Sequence, residues 1–396
     1  MPDFFGSARD AIPTVVAIPA RDEADRILRC LDALAGQQGP DGHPLAATAP
    51  LKILVLINNT RDDSAQRVRR WRDRTGAPVS WREADLGATA HAGGARRAAM
   101  DWAARELGQW RAPGVICTTD ADSVARPDWL AETWKALRSG ADAVAGVVEF
   151  DPERLGGLAL SPLRRLEARF AALQAEMIAR ADPDPRDPWP NHIWSWGASL
   201  AVTGEAYRAV GGLPPAPVAE DRALEAALRA QDFAIRHALD VRVRTSVRDA
   251  GRAPGGLADL ISLYARGDDA APCDAALEAT ATVLERAGCR KLFRRLHATG
   301  GGDDRRIRAL ARRLRVTAAA IRNAMAEPRF GAGWATLEAQ SPTLERRRLY
   351  PSELPRQIYL AERAIKASAG SGATGPADRL RAASAGLWSA PVPLFE

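Results

Sequence analysis

Short apolar runs alternate with amphipathic stretches over the first two-thirds of the chain, and the pattern beyond is helical throughout. Thr14–Ile18 is a β-branched apolar run ending at Pro19. Leu51–Ile57 is a second, closed by Asn58-Asn59. Gly114–Thr119 and Ala141–Phe150 are two more, with Pro78–Trp81 a shorter candidate. Apolar runs of this length without a polar face predict strands buried on both sides. Between them, Ala24–Leu34 carries Ile27, Leu28, Leu31 and Leu34 at helical spacing, and Ser64–Arg74, His91–Leu107 and Pro127–Ser139 also predict helices. Such alternation predicts an α/β sheet with helices on both faces. Ligands of such sheets bind beyond the carboxyl ends of the strands. Arg21-Asp22-Glu23, Asn58-Asn59 and Asp120-Ala121-Asp122 all fall there.

Further along, Leu160–Arg180 predicts a helix. Asp182–Asn191 holds four prolines in ten residues and must be a loop. Ser199–Val202, Ala234–Ala238 and Val241–Thr245 predict strands, and Glu220–Gln231 a helix. From about Leu257 the pattern is helical. Asp303–Met325 is its clearest segment, with Ile307, Leu310, Leu314, Ala318, Ile321 and Met325 on one side. Ala367–Pro376 is rich in Gly, Ser and Ala, the composition of a flexible tail. The expected division is residues 1–265 as an α/β domain and 266–396 as a helical, Arg-rich C-terminal extension.

Composition narrows the class. At 46% hydrophobic residues the chain is too apolar for disorder, and no apolar run approaches the ~20 residues that span a bilayer. The N-terminus lacks a basic stretch followed by a long apolar one, so the expected location is the cytoplasm. Cys30, Cys117, Cys273 and Cys289 form no metal-site spacing and are expected as free thiols. Of the +6 net charge, residues 290–350 carry fifteen Arg/Lys against five Asp/Glu, +10, leaving −4 elsewhere. That region is a candidate for peripheral contact with anionic lipid at the inner membrane face; nucleic acid is not an expected partner.

Asp120-Ala121-Asp122 carries the candidate chemistry. Two carboxylates flank a small residue where the chain leaves a strand. Such a pair can hold a divalent cation against the charge of a diphosphate leaving group. Alone, the triplet equally suits two capping aspartates. Its surroundings add weight. VVAIPARDEADRILRCLDAL, ILVLINNTRDD, HAGGARRAAMDWA and TTDADS, followed about a hundred residues later by GASLAVTGEAYRAVGGLP and AEDRALEAALRA, resemble the family-2 glycosyltransferases of the GT-A fold in order and rough spacing. The resemblance covers roughly residues 12–260.

It implies a Rossmann-like, mostly parallel mixed sheet flanked by helices, and an inverting transfer from a nucleoside-diphosphate sugar. Pro19, Ala20, Arg21 and Glu23 match the first nucleotide-facing loop. Asn59 stands where the family often has a carboxylate at the base or ribose, a departure that Asp62 or Asp63 can offset and that leaves UDP- and GDP-sugars open as donors. Gly94 and Arg97 match the stretch approaching the sugar or diphosphate. Asp122 matches the metal-binding carboxylate (Mg²⁺ or Mn²⁺), and Asp120 the one nearer the sugar. In the Glu220-Asp221 pair, Asp221 matches the catalytic base. Trp196, Gly197 and Ala198 match the acceptor side, where the hydroxyl acceptor is a small molecule or is lipid-linked. Some relatives carry a further metal-binding histidine after the acidic pair; His237 lies in a predicted strand, and that role is not transferred to it.

From the residues themselves, Arg248 and Arg252 lie on a Gly/Pro-rich loop suited to closing over phosphate oxygens. Bland roles stay open: Glu23 as a helix cap, Arg97 as a solvated helix residue, Glu220-Asp221 as acids opening a helix. Two rivals share the fold. A nucleotidyltransferase would carry a Gly-rich loop after the first strand, where this chain has Pro19-Ala20-Arg21-Asp22-Glu23. A non-catalytic nucleotide-sugar-binding protein would not need both Asp122 and Asp221.

Overall fold

The computed structural model describes residues 11–39, 42–45, 50–110, 113–150, 161–246, 269–300 and 303–369. Eight strands form one sheet: β1 (Thr14–Ala20), β2 (Leu51–Asn58), β3 (Val79–Ala84), β4 (Val115–Thr118), β5 (Ser123–Ala125), β6 (Ala143–Phe150), β7 (Leu200–Thr203) and β8 (Ile235–Thr245), in the order β3-β2-β1-β4-β7-β6-β8-β5. The first four in that order are parallel. β7 runs against both β4 and β6, β8 runs with β6, and β5 runs against β8.

β1 is central, pairing Thr14 with both Leu51 and Val115. Its alternate residues serve two cores, as the two-residue period of a strand requires. Val16 and Ile18 face the side covered by α1 (Ile27–Ala35), α2 (Ser64–Thr75) and α4 (Trp129–Arg138), which contributes Trp71, Trp129 and Trp134. Val15 and Ala17 face α3 (Ala92–Leu107), a helix at Gly204–Ala209 and one at Glu220–Ala230, with Trp102 and Tyr207. α5 (Leu166–Ala181), α6 (Gly204–Ala209) and α7 (Glu220–Ala230) complete the helices of this part.

Five further helices follow: α8 (Thr280–Ala298), α9 (Asp304–Leu314), α10 (Ala318–Ala326), α11 (Phe330–Gln340) and α12 (Leu354–Ala369). α8 and α12 share a core with the sheet, joining Val283, Leu354 and Ile358 to Val147, Phe170 and Leu239. α8 to α11 also enclose a helical core around Phe293, Leu310, Ile321 and Trp334. The expected division near residue 265 falls outside the described residues.

Two expectations need correcting. The periodic segment Asp303–Met325 is two helices, not one. Arg315 takes a left-handed conformation that ends α9, and the Thr317 hydroxyl accepts the Ala320 N–H to start α10. The apolar period survives the break, which is why it was invisible in the pattern. Ala234–Ala238 and Val241–Thr245 are one strand, β8, whose register against β6 shifts between Gly146 and Val147. The short β5 and α6 were not expected.

The helical region is tied to α7. Asp232, just past α7, accepts the Phe330 and Gly331 N–H groups at 2.9 and 2.7 Å and so caps α11 across the interface. A Cβ at Gly331 would stand 1.8 Å from the Arg229 carbonyl oxygen. Gly331→Ala should therefore part α11 from α7 and cost about 1–3 kcal/mol, read as a lowered denaturation midpoint; an unchanged midpoint would show that the backbone gives way freely.

Candidate active site

The loops after β1 and β2 lie side by side at the carboxyl edge of the sheet and are stitched together. The Asp22 N–H donates to Thr60 Oγ1 at 3.2 Å, and Asp22 Oδ1 accepts the Arg61 N–H at 2.7 Å. The Glu23 N–H donates to Ser64 Oγ, and the Ala24 N–H to Asp62 Oδ2, both at 2.9 Å. Asp62 Oδ1 accepts both the N–H and the hydroxyl of Ser64. Asp62 is thus a strut between the loops. Glu23 is 8% exposed, and the Arg21 guanidinium donates to the Ala90 carbonyl at 3.4 Å.

Asn59 ties this edge to β3. Its amide donates to Asp85 Oδ1 at 2.5 Å and its carbonyl accepts the Leu86 N–H. Asp85 is therefore the carboxylate next to the departure at Asn59. The Gly87 N–H and the Asn59 amide hold it below the usual carboxylate range. The sequence offered no sign of it, because its partner is met only across the strand edge.

The centre is built by Arg96, which sequence reasoning passed over for its neighbour. Arg96 is 6% exposed. It donates from Nη2 to Asp120 Oδ1 at 2.8 Å, from Nε to Glu220 Oε1 at 2.9 Å, and from Nη1 to Gly197 O at 2.8 Å and Thr118 Oγ1 at 3.2 Å. Burial opposes its charge, but Asp120 and Glu220 outweigh burial and hold the proton more tightly than usual. One guanidinium therefore gathers the end of β4, the turn before β7 and the start of α7. Glycines make the room: a Cβ at Gly197 would stand 2.4 Å from Arg96 Cζ, and one at Gly93 1.9 Å from Ala216 O. Gly93 and Arg96 are three apart on α3 and share a face. That spacing was the available signal.

Arg97 turns elsewhere, donating to Leu213 O at 2.5 Å and pairing with Asp101 at 3.6 Å. Gly94 packs where a Cβ would stand 2.1 Å from Thr89 O, and its N–H donates to the His91 ring. Arg248 and Arg252 lie outside the described residues.

Asp122 Oδ2 accepts the Ser246 hydroxyl at 2.6 Å, and Oδ1 faces Thr245 Oγ1 at 3.4 Å. Antiparallel pairing of β5 with β8 delivers Ser246 here. The Thr119 and Ser123 hydroxyls flanking the triplet are buried without a hydrogen-bond partner. Among the described residues no three Asp, Glu, His or Cys side chains form a metal cluster.

Asp221 sits on the first turn of α7. Its Oδ2 accepts the Gly197 N–H at 3.0 Å and its Oδ1 the Arg222 N–H at 2.7 Å. Burial, then the Glu220 charge, raise its proton affinity; Arg96 and the two N–H groups oppose them without cancelling. Ala219, just before it, has a φ of 57°, and Asp22 and Asn59 have 50° and 48°. Three of the five described non-glycine residues in the left-handed region thus border this site, where strain of about 1–3 kcal/mol per residue is commonly kept for function. Trp196 stacks on Trp194 at 5.2 Å between ring centres and leads into Gly197 and Ala198. His237 is buried in β8, away from the triplet, and donates from its ring to Asp187 at 2.8 Å.

Residues 15–178 match the model for glycosyl transferase family 2. That segment belongs to the family. The mixed eight-stranded sheet with flanking helices is that of the GT-A fold, and the matched segment is that of a sugar transferase. No curated protein matches the sequence. Among solved structures, the chain is similar to the mannosyltransferase PcManGT from Pyrobaculum calidifontis in complex with GDP-Man and Mn²⁺, at 17% identity over 97% of this chain and 83% of that one, TM-score 0.43. It is also similar to S. aureus TarS in complex with UDP, at 12% identity over 92% and 93%, TM-score 0.41. Glucosyl-3-phosphoglycerate synthase from Mycobacterium tuberculosis is a third, at 17% identity over 75% and 82%, TM-score 0.35. These likenesses are distant. Among the described residues no helix is long and apolar enough to cross a membrane.

Proposed function

We propose that the chain is an inverting glycosyltransferase that moves a sugar from a UDP- or GDP-sugar to a hydroxyl acceptor, with Asp221 as the general base. The observation that carries this reading is the Arg96 junction, which draws Asp120 of the triplet and the Glu220-Asp221 pair to one buried cation. Donor-side and acceptor-side carboxylates thereby share one site. Asp221 accepts one N–H on each oxygen, and a carboxylate keeps lone pairs beyond those to take a proton. Its raised proton affinity makes it a stronger base than a solvated aspartate.

In the transfer, the acceptor oxygen bonds to the anomeric carbon as its proton passes to Asp221. The bond from that carbon to the donor phosphate breaks, and its electron pair leaves on the nucleoside diphosphate. Asp122, with the Asp120 oxygen not bonded to Arg96, would hold Mg²⁺ or Mn²⁺, whose charge offsets that of the leaving diphosphate. The loops after β1 and β2 form the nucleotide side, with Pro19, Ala20, Arg21 and Glu23 at the first and Asn59 with Asp85 at the second. Residues 1–265 would hold the catalytic domain, and 266–396 a helical extension that braces α7.

Asp122→Ala is the direct test of the donor side. Calorimetry with UDP and GDP should show Mn²⁺-dependent binding in the unaltered protein, weakened at least about tenfold in the variant. Equal affinity in both would remove Asp122 from the metal site. A thermal-shift series of UDP-, GDP- and dTDP-sugars with and without Mn²⁺ identifies the donor, since a ligand at ~100 times its Kd stabilises the fold by about 2.7 kcal/mol.

A further inference from the structure

Behind the Gly197 turn lies a polar cluster, centred on the buried Ser195 and His237, with no part in the transfer just described. Glu225 follows Asp221 by one helical turn on α7. Its Oε2 accepts the Ser195 hydroxyl at 2.6 Å, and its Oε1 accepts Arg229 Nε at 2.7 Å and lies 3.6 Å from His237 Nε2. On its other side, the His237 ring donates to Asp187 Oδ2 at 2.8 Å, and its backbone N–H donates to Asp187 Oδ1 at 2.9 Å. Asp187 also pairs with Arg236 at 3.1 Å. Ser195 and His237 are 3% and 2% exposed. The cluster joins the proline-rich loop, β8, α7 and the segment leading into the Gly197 turn.

Burial works against a charged His237, but Asp187 and then Glu225 raise its proton affinity to a pKa of about 9. Glu225 is held well below the usual range: burial opposes this, and Arg229 and His237 overcome it. His192, 5.4 Å from His237, is neutral, because burial and the charge of His237 push it down to about 3. It accepts the Trp194 N–H on Nδ1 and meets Ala145 O through Nε2, and so holds the same segment from the sheet side.

The segment so gripped carries both backbone groups that define the active-site junction. Gly197 N–H donates to Asp221, and Gly197 O accepts from Arg96. Ser195 stands two residues before them, anchored to the helix that also bears Asp221. Helix and turn are therefore locked together at two levels, Asp221 to Gly197 and Glu225 to Ser195.

We propose that Ser195 and Glu225 are positioning residues for Asp221, clamping the Ser195–Gly197 segment to α7 so that the Gly197 N–H stays on the base, with His237 and Asp187 holding Glu225 in place. This rests on the reading of Asp221 as the base. A charged acceptor makes the Ser195 bond stronger than a neutral pair would be. Burial of Ser195 and His237 limits the water that could substitute for it. The Gly197 N–H favours the ionised form of Asp221, so loosening the turn lets the proton affinity of Asp221 rise further.

Ser195→Ala tests this without changing any charge. The control is Ser341→Ala, which removes a buried hydroxyl donating to Leu314 O at 2.7 Å in the helical core. The first readout is the carboxyl carbon-13 NMR titration of Asp221, identified by its loss in Asp221→Asn. Its midpoint should move to higher pH in Ser195→Ala and stay in place in Ser341→Ala. The second is UDP or GDP release from UDP-glucose and GDP-mannose with Mn²⁺. In Ser195→Ala, kcat should fall about tenfold while donor KM stays within about twofold, as expected when a reacting group is displaced but binding is kept. An unmoved Asp221 midpoint in Ser195→Ala overturns the proposal, as does an equal shift in both variants; where neither donor is turned over, the titration alone decides. If the midpoint moves but Asp221→Asn keeps full kcat, the clamp stands and the base assignment falls.

Discussion

Asp221→Asn is expected to lower kcat by roughly 10²–10⁴-fold, the usual contribution of a positioned general base, with donor affinity nearly unchanged. Asparagine is nearly the same shape and can still accept an N–H from Gly197 or Arg222, but it cannot take a proton. A pH series sharpens the test. Asp221 binds its proton more tightly than a solvated aspartate, so the acid limb of kcat should lie above the ordinary aspartate range, with the rate rising as pH rises through it. That limb should disappear in the variant. The same shift has a stability consequence: a carboxyl whose proton affinity is raised by folding stabilises the fold most at low pH, and that contribution is lost as pH rises through its folded value. A turnover number equal to that of the unaltered protein would take Asp221 out of the mechanism.

Arg96→Met should have the largest effect on stability. Removing one partner from a buried ion pair costs about 3–5 kcal/mol, because the other charge is left uncompensated. Here Glu220, at 8% side-chain exposure, loses its counter-ion, while Asp120 is a third exposed and partly relieved by solvent. The Gly197 carbonyl and Thr118 hydroxyl lose their donor as well. The expected loss of unfolding free energy therefore falls in that range, together with loss of turnover. Arg96→Lys should recover part of the stability and little of the activity. An ammonium on a flexible stem replaces the charge but cannot reach four acceptors in the fixed fork of a guanidinium. Equal denaturation midpoints for Arg96→Met and the unaltered chain would mean that the junction does not hold the site together.

The two adjacent arginines show how far a one-dimensional reading reaches. Arg96 and Arg97 are indistinguishable as residue types, and successive residues on a helix point about 100° apart. Only packing of α3 against the Gly197 turn and the start of α7 decides which one enters the site. Asp62 and Gly94 teach the same lesson. The sequence motifs assign both to the donor side, while in the structure the Asp62 oxygens stitch two loops together and the Gly94 N–H is taken by His91. Asn59 is read through Asp85, which follows another strand. The continuous period from Ile307 to Met325 concealed a helix break, because a left-handed residue and a new cap alter the axis without altering which residues are apolar.

Most of the strands, the burial of the central ones on both faces, most of the helices around them and the strand-end placement of Asp120-Ala121-Asp122 were determined by the sequence alone. Each depends on local periodicity or on a short motif, and local signals survive in one dimension. The tertiary structure decided the rest: that β7 runs against its neighbours, that α8 and α12 share a core with the sheet, and that Arg96 gathers Asp120 and Glu220 while Ser195 and Glu225 grip the turn beside Asp221. These depend on contacts between residues far apart in the chain, whose energies come from burial and pairing that no single segment carries.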